Sequence, residues 1–159
     1  MVLNYRLYLE RAGNELKLAD IILKISQKKE VQYDILEVPN PETYFNSVIS
    51  HAYYCIFYCA KSYLLTKGIK TESPEEHKRT YEEFKKFVDK GIIDVELLKL
   101  YEKLLLRAET LLEIFWIEKK KRGEFTYQKI HQANLEPAKE SLENAKIFFK
   151  HIYNLCEKC

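Results

Sequence analysis

The chain of 159 residues is long enough to bury a sizeable core, and we expect a single domain over residues 1–159. Its composition, 47% hydrophobic and 31% charged, excludes an intrinsically disordered chain, and a net charge of +2 gives no reason to expect non-specific duplex binding. Only four glycines and four prolines are present, too few turn residues for a sandwich or barrel, so the predicted fold class is all-α.

The first predicted element is an amphipathic helix over about residues 3–27. Its inner face is marked by apolar residues at steps of three and four: Leu9, Ala12, Leu16, Ala19 and Leu23. Gly13 lies inside this helix and weakens it by about 1 kcal/mol relative to alanine. Residues 28–40 are polar and irregular. We interpret them as a long connection that is either a plain loop or a flexible segment for partner docking.

A central helix is predicted from Pro41 to about Lys67, with Asn40 as its N-cap and Gly68 as its left-handed end. Residues 50–65 read Ser-His-Ala-Tyr-Tyr-Cys-Ile-Phe-Tyr-Cys-Ala-Lys-Ser-Tyr-Leu-Leu. This stretch is apolar around most of its circumference, which is typical of a buried helix. Its histidine, lysine and tyrosines make a lipid-facing span too costly.

A polar stripe runs along one side of the central helix. Its members recur at steps of four, four and three, with His51 beside them: Ser50, Tyr54, Tyr58 and Lys61. Aligned hydroxyls and an ammonium can hydrogen-bond a phosphate, and tyrosine rings can stack on bases. The alternative is a symmetric subunit interface with packed rings and paired hydroxyls. Both interpretations stay open, and we prefer the interface.

Three further helices follow in the prediction. A capping box over residues 73–76 begins one that ends at Gly91. Asp94 caps the next, whose apolar stripe continues to Phe115 and which ends in the basic run 118–123. Asn134 caps the last helix, with an inner seam at steps of three and four: Ala138, Leu142, Ala145, Phe149, Ile152 and Cys156.

No signal peptide is visible at the start of the chain, so a cytoplasmic location is expected. The four cysteines are Cys55, Cys59, Cys156 and Cys159. In a cytoplasmic protein they are expected to be reduced and mostly buried. A four-thiolate zinc site is the alternative, but neither spacing is that of a zinc ribbon. We therefore predict no metal and no cofactor.

The central stretch resembles the S-x-A-Y-Y-A-x-F-x-A-A-K-x-L-L core of HEPN domains (higher eukaryotes and prokaryotes nucleotide-binding). The likeness continues through Gly68 and the segment around His77, and it returns at Gly123-Glu-Phe125. The resemblance implies a compact up-and-down bundle of four to five helices that forms a homodimer. Such proteins are often encoded beside a small nucleotidyltransferase. Many are RNA-cleaving toxins, and others bind nucleotides or RNA.

The nuclease members of the family carry an Arg, four to six residues, and then a His. In this chain Arg122 and His131 have eight residues between them, and position 51, where many relatives have Arg, is His. We therefore expect a nucleotide- or RNA-associated binding module, partnered by a minimal nucleotidyltransferase in a toxin–antitoxin-like or stress system. One alternative is a metal-independent ribonuclease that uses Arg122 and His131, with His51 as a possible addition. The other is a helical dimerisation scaffold without nucleotide affinity.

Overall fold

A computed structural model describes residues 4–109, 111–112 and 134–159. Over these residues all regular secondary structure is helical, which confirms the predicted all-α fold class. The described helices are α1 (Tyr5–Ser26), α2 (Lys29–Asp34), α3 (Phe45–Thr66), α4 (Glu76–Asp89), α5 (Val95–Ala108) and α6 (Leu135–Glu157). Five of them are long, and α2 has only 6 residues, so the bundle agrees with the HEPN-like architecture that was expected.

Helix α3 is the centre of the bundle, as its apolar circumference predicted. It packs against α1, α4, α5 and α6, and 13 of its 22 residues are buried. Two hydrogen bonds show that it runs antiparallel to α1. At one end the Ser62 hydroxyl donates to the Tyr5 carbonyl (2.8 Å). At the other end the Tyr44 N–H donates to the Ser26 hydroxyl (2.9 Å). This antiparallel pairing brings the outer sides of α1 and α3 onto one surface.

The segment before α3 differs from the prediction in two ways. The long connection predicted over residues 28–40 contains the short helix α2, and α3 begins at Phe45 rather than at Pro41. The buried side chain of Gln32 explains the later start. Its amide nitrogen donates to the Glu42 carbonyl (2.8 Å), and its amide oxygen accepts from the Glu42 N–H (3.1 Å). The backbone of Glu42 is therefore held outside the helix.

The predicted capping box at the start of α4 is wrong. The helix begins at Glu76 after Glu75, which has a positive φ of 60° and makes no side-chain cap. The Glu76 carboxylate pairs with Lys61 instead of reaching back to Ser73. At α5 the predicted cap is confirmed, because the Asp94 carboxylate accepts from the Glu96 N–H (2.9 Å).

Helices α5 and α6 each differ in one detail from the sequence prediction. Helix α5 ends at Ala108, earlier than its apolar stripe predicted, although residues 111 and 112 still pack against the core. In α6, Phe148 is fully buried, whereas Phe149, predicted to face inward, is only partly buried. Phe149 lies against Gly13 of α1, where an added Cβ would be 3.6 Å from its ring. The ring therefore covers α1 at this position, and an added Cβ would meet it at an ordinary van der Waals distance.

Candidate functional site

The outer sides of α1 and α3 form one mixed polar and aromatic surface, which we call the α1–α3 seam. It consists of Tyr8, Arg11 and Glu15 from α1 together with His51, Tyr54, Tyr58 and Lys61 from α3. The α3 members are those of the predicted polar stripe. The α1 members were not predicted, although their spacing of three and four residues is the signal that could have found them.

Arg11 and Tyr58 form a close contact across the seam. The guanidinium donates to the Tyr58 hydroxyl (2.5 Å), and its carbon lies 4.1 Å from the ring centroid. Tyr58 stacks between Tyr8 and Tyr54, with centroid distances of 6.0 and 6.1 Å. Within the described part of the chain no carboxylate pairs with Arg11. Its positive charge is therefore available to an anion at the surface.

Tyr54 and Tyr58 of the seam are neutral hydrogen-bond donors at physiological pH. Partial burial raises the pKa of the Tyr54 hydroxyl, and the nearby Glu15 carboxylate raises it further. Burial also raises the pKa of Tyr58, although the adjacent Arg11 charge acts in the opposite direction. Both rings are only partly buried. Tyr54 can therefore present an aromatic face and a hydroxyl to the same ligand, whereas the ring of Tyr58 already contacts Tyr8, Tyr54 and Arg11.

His51 is oriented by a carboxylate from α1. Its Nδ1 lies 2.5 Å from Oε2 of Glu15, and the two side chains are 29% and 24% exposed. The contact fixes the ring at the surface and uses one nitrogen, which leaves Nε2 for a ligand. Ser50, the first member of the predicted stripe, is partly buried, and its hydroxyl has no hydrogen-bond partner among residues 4–109, 111–112 and 134–159.

Lys61, the last member of the predicted polar stripe, is buried. Only 6% of its side chain is exposed, because the Glu76 carboxylate pairs with its ammonium and the ring of Tyr8 covers it at 4.8 Å. The periodicity of α3 placed Lys61 correctly on the face of the stripe. It could not show that α4 begins directly over this position. Lys61 is therefore a buried cation at one end of the seam.

His77 packs beneath the seam, on the inner side of α4. Its ring stacks on Phe57 with a centroid distance of 4.1 Å, and its Nδ1 lies 2.8 Å from the Tyr53 hydroxyl. Burial lowers the pKa of His77, the Glu76 charge raises it, and the Lys61 charge lowers it. The ring is thus a partly buried part of the aromatic core.

The cysteines contribute no metal site in the described part of the chain, where no group of three or more possible ligands is found. Cys55, Cys59 and Cys156 are buried and Cys159 is exposed, all as free thiols. Burial raises the pKa of Cys59, and it raises that of Cys156 to about 11. These thiols are therefore protonated, which disfavours metal binding. In the same described ranges, no helix combines the length and apolar character that a membrane crossing needs.

The two residues predicted for the ribonuclease alternative, Arg122 and His131, lie outside the described residues. The same holds for the basic run 118–123 and for the matched segment at Gly123-Glu-Phe125. The catalytic role proposed for Arg122 and His131 stays a prediction.

Comparison with known proteins agrees with the resemblance of the central stretch. Residues 40–155 match the sequence model of the HEPN domain. A protein of Methanocaldococcus jannaschii that is named as a candidate toxin is 29% identical over 119 residues, which cover 74% of this chain and 79% of that protein. No solved structure matches the chain significantly. The α1 side of the seam precedes the range matched to the HEPN domain.

Proposed function

The chain belongs to the HEPN domain family, and on this premise we propose that it is a single-domain cytoplasmic homodimer that associates with RNA or nucleotides through the α1–α3 seam. We propose a toxin-like role for it, with a nucleotidyltransferase-like protein as its partner. The family match and the name of the relative support the toxin-like role.

The observation that carries the RNA proposal is the stack of Tyr8, Tyr58 and Tyr54 beside the Arg11 guanidinium. Proteins that hold single-stranded nucleic acid combine aromatic rings, on which bases stack, with cations that contact the phosphates. Arg11 supplies a charge without a carboxylate partner in the described ranges. The partly exposed rings supply the stacking surface. The seam therefore has both components on one face.

The seam can be tested with a fluorescently labelled single-stranded RNA of twelve nucleotides, in chelator, by anisotropy. We expect Tyr54→Ala to weaken binding roughly tenfold, because one base stack is lost. Arg11→Gln is expected to weaken it by a similar factor and to reduce the dependence of affinity on salt. Tyr33→Ala and Arg6→Gln are matched controls, because both residues are exposed and lie outside the seam. Absence of binding by the native protein, or equal binding by all four variants, would contradict the proposal.

The partner proposal has its own experiment. The chain is co-expressed with the product of the neighbouring gene, and the mixture is separated by size-exclusion chromatography. We expect one complex that contains both proteins. Separate elution of the two proteins at micromolar concentration would count against a stable partnership and would leave the RNA proposal untouched.

A further inference from the structure

A cleft of about 310 Å³ lies at the Lys61 end of the seam. It is formed by the first turns of α1, the last turns of α3 and the segment 69–72 that follows α3. Three cations line it: Arg11, Lys61 and Lys70. The carboxylate on its rim is that of Glu72, which lies 3.7 Å from Lys70 in an exposed pair. Exposed pairs of this kind are weak, so Lys70 can exchange its partner for a ligand at little cost.

Apolar side chains line the same cleft: Leu7, Leu65 and Ile69, together with the ring of Tyr8. Leu7 is 55% exposed, although it is a large aliphatic side chain on a regular helix. A ligand with an apolar, flat body would cover this exposed surface. Cationic and apolar side chains in one cleft favour a ligand that carries both an aromatic group and a negative charge.

Lys61 is the cation of the cleft whose side chain is already held in place. Its side chain is more than nine-tenths buried, and its ammonium is held by Glu76 and by the ring of Tyr8. An ammonium has three hydrogen-bond donors, of which the Glu76 carboxylate takes one. Because the side chain is already ordered, binding an anion beside it costs little additional side-chain entropy.

We propose that this cleft binds a phosphorylated ligand of mononucleotide size, with its phosphate beside Arg11, Lys61 and Lys70 and its base against the apolar side chains. A volume of about 310 Å³ stands at the lower end of the range for ligand pockets, which favours one nucleotide unit over a dinucleotide. The inference deepens the proposed function and rests on it, because Tyr8, Arg11 and Lys61 belong to both the seam and the cleft. The same chemistry is offered by a free mononucleotide and by the 5′-phosphorylated end of an RNA.

Calorimetry with AMP, adenosine and inorganic phosphate on the full chain tests the cleft. We expect AMP to bind at least roughly tenfold more tightly than either of the other two probes, because only AMP carries both a base and a phosphate. Lys70→Gln is expected to weaken AMP binding about tenfold by removing a charge-assisted hydrogen bond. Leu7→Trp fills the cleft from an exposed position and is expected to abolish AMP binding. Lys99→Gln, an exposed lysine on α5, is the matched control and should bind AMP as the native protein does.

Two RNA probes of one sequence, with a 5′-phosphate or a 5′-hydroxyl, separate the sources of the ligand. If the phosphorylated RNA binds more tightly and Leu7→Trp removes this difference, the cleft binds RNA ends. If the two RNAs bind equally and AMP still binds, the cleft binds free nucleotides. No heat with AMP, or AMP binding that survives both Lys70→Gln and Leu7→Trp, overturns the cleft. The seam proposal is tested separately, because Tyr54 lies outside the cleft. It fails if Tyr54→Ala leaves RNA binding unchanged.

Discussion

The ammonium of Lys61 forms an ion pair with the carboxylate of Glu76, the first residue of α4, and the ring of Tyr8 covers it. The two partners differ in burial, since 6% of Lys61 and 32% of Glu76 is exposed. Water can reach the carboxylate when the lysine is removed, but it cannot reach the ammonium equally well when the glutamate is removed. The two partners are therefore not equivalent energetically.

This asymmetry predicts different costs for the two substitutions. Glu76→Gln leaves a buried ammonium without a counter-charge, and we expect a loss of about 3 kcal/mol in the free energy of unfolding. Lys61→Met keeps the aliphatic packing and leaves a hydrated carboxylate, so we expect a loss of about 1 kcal/mol. Urea denaturation followed by circular dichroism measures both. Glu136→Gln, in the first turn of α6, controls for loss of charge at a helix start. A larger loss for Lys61→Met than for Glu76→Gln would contradict the assignment.

Gly13→Ala is expected to stabilise the protein by about 0.5 to 1 kcal/mol, because alanine is the better helix former. The added Cβ would meet the Phe149 ring at 3.6 Å, an ordinary van der Waals distance. Gly68→Ala serves as the opposite case, since Gly68 has a φ of +73°. It is expected to destabilise the protein by about 1 kcal/mol. Thermal unfolding of the two variants should shift the midpoint in opposite directions.

The depressed pKa of His77 predicts a loss of stability towards acid. The folded protein holds His77 neutral because it is buried against Phe57, while the unfolded chain takes up a proton near the ordinary histidine pKa of about 6.5. As pH falls below that value the unfolded state binds more protons, so stability decreases, and the decrease ends once pH is below the folded pKa. His77→Gln should therefore lose less stability than the native protein between pH 7.5 and 5.

Thermal melts at a series of pH values measure this difference, and His151→Gln is the matched control because His151 is exposed on α6. Subtracting the variant profile from the native one removes the contribution of the carboxylates. Parallel profiles for the native protein and His77→Gln would show that His77 does not make this contribution.

We predict that the protein sediments as a homodimer, with a mass near twice that of the 19.0 kDa chain. Exposed aliphatic side chains on α1 suit self-association, because Leu18 and Ile21 are 40% and 54% exposed. Ile21→Glu is expected to shift the equilibrium to monomer. Ile92→Glu is the matched control, since Ile92 is 55% exposed and lies between α4 and α5. A native protein that is monomeric at micromolar concentration would refute the dimer.

We expect no RNA cleavage in the presence of chelator, because the spacing of Arg122 and His131 departs from that of the nuclease members of the family. Gel analysis of a labelled RNA after incubation with the purified native protein checks this. Cleavage that both Arg122→Ala and His131→Ala abolish would establish the ribonuclease alternative in place of the binding module. Cleavage that both variants retain would point to a contaminant.

Much of the fold could be predicted, because helical periodicity is a local property of the chain. The buried centre of α3, the cap at Asp94 and the left-handed glycine at 68 all follow from neighbouring residues. The start of α3 could not be predicted, because it depends on the buried side chain of Gln32, which takes both backbone hydrogen bonds of Glu42. The tertiary contact of Gln32 with Glu42 therefore outweighs the favourable N-cap sequence at Asn40.

The candidate site shows the same division. The sequence by itself determined which α3 residues share a face, since residues four apart on a helix lie on the same side of it. Only the tertiary structure decided that Arg11 and Glu15 of α1 lie against Tyr58 and His51. It also decided that Lys61 is a buried cation rather than an exposed one. Burial depends on which other helices cover a position, and the periodicity of one helix does not show which helix lies against each of its faces.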